Sequence, residues 1–208
     1  MINNLNILKP LLNFEEQGDF YMLYVFKRKK DQPEGERDNH QSVRTIKTYC
    51  IDSIDHLERR YDEIKQLCEM FKARAYIHVQ KQNHRDVSLD MLATLAERIK
   101  NGVQNQKGLF DSVVGQIKTQ EKRWIIDVDN VSIDSFSHSP SQISMREYIN
   151  ELQVEAGREP QMTFVKTKSG FHIITQPFNV KKFKDRYPDI DIQKKNPTLL
   201  YLPNSLNN

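Results

Sequence analysis

The alternation of apolar and polar residues predicts a first series of elements in the N-terminal half of the chain. Residues 19–30 and 42–51 are rich in aromatic and β-branched side chains, which predicts a β-hairpin with a mobile tip. Apolar residues at helical spacing, with Ser53 as N-cap, predict a helix over residues 54–72. A strand at residues 74–80 and a second helix at residues 88–102 follow, where an apolar stripe ends at Gly102. The predicted order is ββαβα.

A second series of elements follows a connector at residues 105–122. Residues 123–130 form an apolar strand, and residues 139–157 have helical periodicity between Pro140 and Gly157. Residues 162–178 predict two short strands folded over Lys168, Ser169 and Gly170, and a short helix and a closing strand at residues 198–203 complete a βαββαβ order. We therefore expect an α+β fold with one or more mixed, largely antiparallel sheets and flanking helices.

Length and composition favour one compact domain over residues 1–208, with parts at residues 1–110 and 120–208. The 208 residues are enough for a hydrophobic core, and the two cysteines argue against a disulfide scaffold or a structural zinc site. With neither a signal peptide nor an apolar run of about 20 residues, a cytoplasmic protein without membrane contact is expected. The net charge of +3 is too small to indicate nucleic-acid binding. The basic clusters, among them residues 27–30, are interpreted individually as solvated surface.

Two carboxylates interrupt the apolar strand "RWIIDVDN". Because side chains alternate along a strand, Asp127 and Asp129 share one face while Ile126 and Val128 share the other. Like charges this close repel unless a cation lies between them, and paired carboxylates suit Mg²⁺ or Mn²⁺ together with substrate phosphates. The alternative, left open by these residues alone, is a solvated strand end that begins a turn.

The stretch "TKSGFHIIT" predicts a phosphate-binding hairpin. Gly170 at the tip would let backbone amides approach an anion, and the flanking side chains that would contact phosphate are Lys166, Lys168, Ser169 and His172.

Taken together, these residues resemble the archaeo-eukaryotic primase superfamily of primase small subunits and primase-polymerases. "IIDVD" is similar to its first motif and "SGFH" to its second, separated by one helix and one strand as in that family. The resemblance implies a primase-polymerase-like fold in which Asp127 and Asp129 hold two catalytic Mg²⁺ or Mn²⁺ ions. It also implies that Ser169 and His172 hold the nucleotide triphosphate. The family's third acid would be Asp191, with Asp189 nearby.

The function implied is a nucleotidyltransferase of DNA replication that starts or extends a strand on a single-stranded DNA template from nucleoside triphosphates. One metal ion would activate the 3′-hydroxyl and the other would neutralise the triphosphate. Phe183 or Tyr187 would stack on bases. A helicase or another replication protein is an expected partner in trans, and a phage or mobile element a suitable source. Two alternatives remain: a metal-dependent nuclease or phosphohydrolase, and a catalytically silent nucleic-acid-binding accessory module.

Overall fold

Two antiparallel β-sheets with flanking helices form the molecule. The computed structural model describes residues 1–32, 34, 43–116, 119, 121–130 and 140–206, with the backbone alone at 140–144. The helices are α1 (Leu5–Leu8), α2 (Ile54–Phe71), α3 (His84–Lys100), α4 (Leu109–Gln116), α5 (Pro140–Glu155) and α6 (Val180–Arg186). The strands are β1 (Ile2–Asn3), β2 (Asp19–Arg28), β3 (Val43–Ile51), β4 (Arg74–Ile77), β5 (Gln82–Asn83), β6 (Trp124–Asp129), β7 (Met162–Lys166), β8 (Gly170–Thr175), β9 (Asp191–Gln193) and β10 (Thr198–Leu202). The expected α+β class with largely antiparallel sheets is confirmed.

The first sheet has the strand order β1-β10-β4-β2-β3, and β5 pairs with the start of β2. The predicted hairpin is β2 and β3, and most of its tip lies outside the described residues. Helix α2 covers one face: Leu57 and Ile64 pack with Leu23 and Val25, and all four are fully buried. Ser53 caps this helix as predicted, since its hydroxyl accepts a hydrogen bond from the His56 amide at 3.1 Å.

Helices α3 and α4 cover one end of the other face of the first sheet. Phe20 and Met22 of β2 pack there with Val87 of α3 and Val113 of α4. Helix α3 begins earlier than the sequence predicts, at His84, because the Asn83 side chain accepts a hydrogen bond from the Arg85 amide and caps it. Most of the predicted apolar stripe of α3 faces away from this core; its exposed members are Leu89, Leu92 and Ile99.

The second sheet has the order β7-β8-β6-β9, with every pair antiparallel. Helices α5 and α6 cover one face, where Ile149, Leu152 and Phe183 pack against Ile126 and Phe171. The closing strand predicted at residues 198–203 is confirmed as β10, but it is not the last strand of this βαββαβ unit, because sequence analysis missed β9. Strand β9 takes the place, while β10 pairs with β1 and β4 in the first sheet. A βαββαβ chain with its first strand central is the split β-α-β arrangement.

Buried polar side chains join the two sheets. The Asn4 amide group donates to the carbonyl oxygens of Lys166 on β7 and Leu199 on β10, at 2.9 and 2.8 Å. Gln80, beyond β4, donates to the Arg123 carbonyl oxygen at 2.9 Å, just before β6. Because these groups are buried, losing either partner would leave an unsatisfied polar atom, so the relative placement of the sheets is specified. Within the described ranges, no helix is both long and apolar enough to cross a membrane.

Candidate active site

Three neighbouring strands of the second sheet bring Asp127, His172 and Asp191 side by side. Asp127 of β6 lies opposite His172 of β8 and, on its other side, opposite Asp191 of β9. Residues paired in this way project from the same face of a sheet. Asp129, two positions along β6, lies on that face opposite Gly170. The side-chain directions predicted for "IIDVD" are confirmed, because Ile126 and Val128 are buried beneath the helices on the opposite face.

Both ring nitrogens of His172 have partners in the structure. Its Nδ1 lies 2.9 Å from the Thr198 hydroxyl of the first sheet, and its Nε2 lies 3.4 Å from Asp127 Oδ1. Only 7% of His172 is exposed. His172 was expected to hold a phosphate directly, whereas here it contacts a candidate metal-binding carboxylate. The ring therefore orients Asp127, and Thr198 orients the ring.

Asp127 is held as a carboxylate. Its hydrogen bond with His172 lowers its pKa below the ordinary value, against the opposing effect of burial. Gln193 of β9 supports the same shift by donating from Nε2 to Asp127 Oδ2 at 2.9 Å, and the charge of Lys30 adds to it. A half-buried carboxylate that is ionised at neutral pH is prepared to receive a cation.

A cleft of about 390 Å³ separates this face from the first sheet. From the second sheet it is lined by Asp127, Asp129, Lys168, Ser169, His172 and Gln193, and from the first sheet by Phe26, Arg28, Lys30, Arg74, Tyr76 and Leu199, among others. Asp191 is exposed, and Gln193 is the β9 side chain that lines the cleft. One wall is therefore acidic and the opposite wall is basic.

The basic wall is organised around Arg74 and Tyr76. Asp31 accepts hydrogen bonds from the Arg74 guanidinium, including one from Nε at 2.7 Å, and both side chains are almost fully buried. The Tyr76 hydroxyl accepts a hydrogen bond from Arg28 Nη1 at 3.1 Å. Partial burial, together with the charges of Arg28 and Arg74, lowers the pKa of Lys30. Two residues of the 27–30 cluster thus line the cleft, although sequence analysis interpreted the cluster as solvated surface.

The β7–β8 hairpin brings only part of its predicted phosphate-binding set to the cleft. Lys168 and Ser169 line it. Lys166 pairs with Phe171, which is buried against α5 and α6, so Lys166 projects from the face opposite His172. The prediction that Lys166 joins the site is therefore wrong on geometry: the register of β7 with β8 places Lys166 on the face opposite His172.

Gly170 has a different role from the one its sequence context suggested. Its amide donates to the Thr167 hydroxyl at 3.1 Å and so does not face an anion. A Cβ atom here would lie 2.0 Å from the Val128 carbonyl oxygen. Glycine is required because β8 approaches the β6 backbone closely at this point.

The aromatic residues proposed to stack on bases do not reach this cleft. Phe183 is 0% exposed in the core beneath the second sheet. Tyr187 packs against it, with ring centroids 5.2 Å apart. The expectation that Phe183 contacts nucleic acid is wrong, because the helical spacing of α6 turns it inward.

The oxygen donors present fit a hard cation shared with a phosphate substrate. No group of three His, Cys, Asp or Glu side chains in the described part of the chain is arranged as a metal-binding cluster. Mg²⁺ is commonly held by one or two carboxylates, with water and substrate phosphates completing the shell. Asp127 and Asp129, with a basic wall opposite, meet that description; Asp191 adds a carboxylate at the neighbouring register position.

Comparison of the chain with protein-family models, with curated proteins and with solved structures found no match in any of the three. Functional inference therefore depends on the residues and geometry of the cleft.

Proposed function

We propose that the chain is a metal-dependent nucleotidyltransferase of the primase or primase-polymerase type, acting on a nucleic-acid template in DNA replication. The single observation that carries the proposal is the placement of Asp127, Asp129 and His172 on one wall of the cleft, facing Arg28, Lys30 and Arg74 on the other, with Asp191 at the register position next to Asp127. Similarity of "IIDVD" and "SGFH" to the primase superfamily motifs supports it independently.

The cationic and the acidic residues of the cleft would have different roles. A triphosphate entering the cleft would meet Arg28, Lys30 and Lys168, whose charges attract phosphate oxygens. Asp127 and Asp129 would supply oxygen ligands to Mg²⁺ or Mn²⁺, which when bound would favour deprotonation of the attacking hydroxyl and stabilise the pyrophosphate. A partly enclosed cleft strengthens these interactions relative to open solvent.

His172 and Thr198 would act indirectly, by positioning Asp127. By donating from Nε2, with Nδ1 held by the Thr198 hydroxyl, His172 fixes the direction of the Asp127 carboxylate. Gln193 fixes the other oxygen of the same carboxylate. Ser169 is exposed at the hairpin turn and lines the cleft, where it would contact the triphosphate directly.

Pyrophosphate release tests the proposal. The protein is incubated with Mn²⁺, the four deoxynucleoside or ribonucleoside triphosphates and a primed single-stranded template. We expect pyrophosphate to form only when template, triphosphate and metal are all present, and the Asp127→Asn/Asp129→Asn variant to form none. Metal-dependent shortening of the strand without added triphosphate would replace the proposal with a nuclease. Strand binding without either reaction would replace it with an accessory module.

A further inference from the structure

An aromatic row crosses the face of the first sheet beside the cleft. Tyr24 and Phe26, two positions apart on β2, stack with ring centroids 5.0 Å apart and an interplanar angle of 12°. Tyr76 of β4 extends the row toward the cleft, 5.8 Å from Phe26. His78 extends it in the other direction, 5.6 Å from Tyr24. We call His78, Tyr24, Phe26 and Tyr76 the aromatic row.

The surface above this row is a groove that continues the cleft. Phe26 and Pro197 line both the cleft and a neighbouring concavity of about 440 Å³. The remaining residues of the concavity are Tyr24, Thr45, Thr48, His78, Asp111, Gly115 and Lys195. The cleft and the concavity therefore adjoin at Phe26 and Pro197.

Polar groups at the edges of the groove match a phosphodiester strand. Thr45 and Thr48 are exposed on the edge strand β3, with their hydroxyls available. Lys195 is exposed on the opposite side, and its ammonium donates to the Gly115 carbonyl oxygen at 3.0 Å. Arg28 and Lys30 lie at the cleft end. Asp111 is the one acidic residue that lines the concavity within the described chain.

Aromatic rings in a groove, with cations along one side and at the cleft end, favour one class of occupant. Bases of a single strand stack on aromatic side chains irrespective of sequence, while cations and hydroxyls contact the phosphates. A duplex presents its bases already stacked and paired, so it cannot use the rings in this way.

We propose that this groove binds a single-stranded nucleic acid, with the half-buried Tyr24 and Phe26 of the aromatic row contacting its bases and the buried Tyr76 packing beside Phe26, and leads it into the cleft as the template. That the bound strand serves as a template rests on the proposed function. That a single strand binds is inferred from the groove alone.

Strand binding is measured without catalysis. Fluorescence anisotropy of a labelled 12-nucleotide single strand, DNA or RNA, is recorded in EDTA without nucleoside triphosphate. Tyr24→Leu should weaken binding about tenfold, as expected for loss of one stacking contact. Phe164→Leu is its matched control, since Phe164 is a half-buried strand aromatic on the helix-covered face of the second sheet. Thermal unfolding verifies that both variants are folded.

A second pair of variants avoids the core altogether. Thr48→Glu adds a negative charge to the exposed rim of the groove, and Gln66→Glu adds the same charge to the exposed surface of α2. We expect Thr48→Glu to weaken binding at low salt by about tenfold and Gln66→Glu to leave it within about twofold.

The outcomes separate the two proposals. Weaker binding in Tyr24→Leu and Thr48→Glu, with both controls unchanged, supports the groove. Equal binding in all variants, equal losses in the controls, or no binding by the unmodified protein overturns it. Failure of the proposed function is detected separately, as absent pyrophosphate release by the unmodified protein, and leaves the binding result valid.

Discussion

Asp191 lies directly opposite Asp127 in the antiparallel register of β9 and β6. Side chains opposite each other in such a pair are about 5 Å apart at Cβ, and like charges there destabilise a sheet. On its other side Asp127 is engaged by His172. Asp127 is therefore flanked by a histidine on one side and by the register position of a second carboxylate on the other.

Replacing Asp191 should lower activity without lowering stability. We expect Asp191→Asn to leave the free energy of unfolding unchanged or to raise it by up to about 1 kcal/mol, because a like-charge pair is lost. Nucleotide transfer should fall by more than about 100-fold, above the range for losing an outer-shell partner. Asp189→Asn, two residues away and also exposed, is the control and should keep full activity. Equal activity of the two variants would exclude Asp191 from the site.

Thr198 is predicted to be a positioning residue. Thr198→Val keeps the shape but removes the hydroxyl 2.9 Å from His172 Nδ1, leaving a buried ring nitrogen unpaired. We expect the free energy of unfolding to fall by about 1–2 kcal/mol. Activity should fall about 10- to 100-fold at a fixed metal concentration, because more metal is needed to saturate the site. Thr198→Ser restores the hydroxyl and should recover both. If Thr198→Ser were as inactive as Thr198→Val, the hydrogen bond would not be the cause.

The buried Arg74–Asp31 pair gives a stability prediction. Asp31→Asn removes one charge and leaves the Arg74 guanidinium buried without its counterion, which should cost about 3 kcal/mol of unfolding free energy. Glu58→Gln breaks the exposed pair with Lys9 and should cost less than about 1 kcal/mol. Chemical denaturation of both variants measures the difference. Similar losses would mean that Arg74 is not held by Asp31 in solution.

His78 predicts a pH dependence of stability. Burial lowers its pKa from 6.5 to about 4. Between these values the unfolded chain binds more protons than the folded one, so stability is lost as the pH falls from about 6.5 toward 4, by at most about 3 kcal/mol. His78→Phe should flatten this part of the unfolding profile while leaving the profile above pH 7 unchanged. An unchanged slope in the variant would assign the loss to other groups.

Local pattern was sufficient for the longer elements of the fold and for part of the site. Alternation along "WIIDVD" depends only on strand geometry, so the shared face of Asp127 and Asp129 was predictable. The same rule would have grouped Lys166 with Lys168, and only the register of β7 with β8 shows that Lys166 lies on the face opposite His172. Likewise, Phe26 and Arg28 alternate on β2, a signal that the 27–30 cluster was not uniformly solvated.

Long-range pairing was not accessible from the sequence. Strand β9 has only three residues, too few for a periodic signal, so Asp191 could be chosen only from its motif context. Strand β10 has an apolar pattern that suits either sheet. Thr198 reaches His172 only because β10 joins the first sheet, and Arg74 becomes a cleft residue only when the sheets meet.

The most direct test of the central claim is the length of a labelled primer on a single-stranded template, incubated with Mn²⁺ and nucleoside triphosphates. The account predicts extended products from the unmodified protein and from Asp189→Asn, and none from Asp127→Asn/Asp129→Asn. A primer of unchanged or reduced length with the unmodified protein would contradict the assignment of the cleft as a nucleotidyltransferase site.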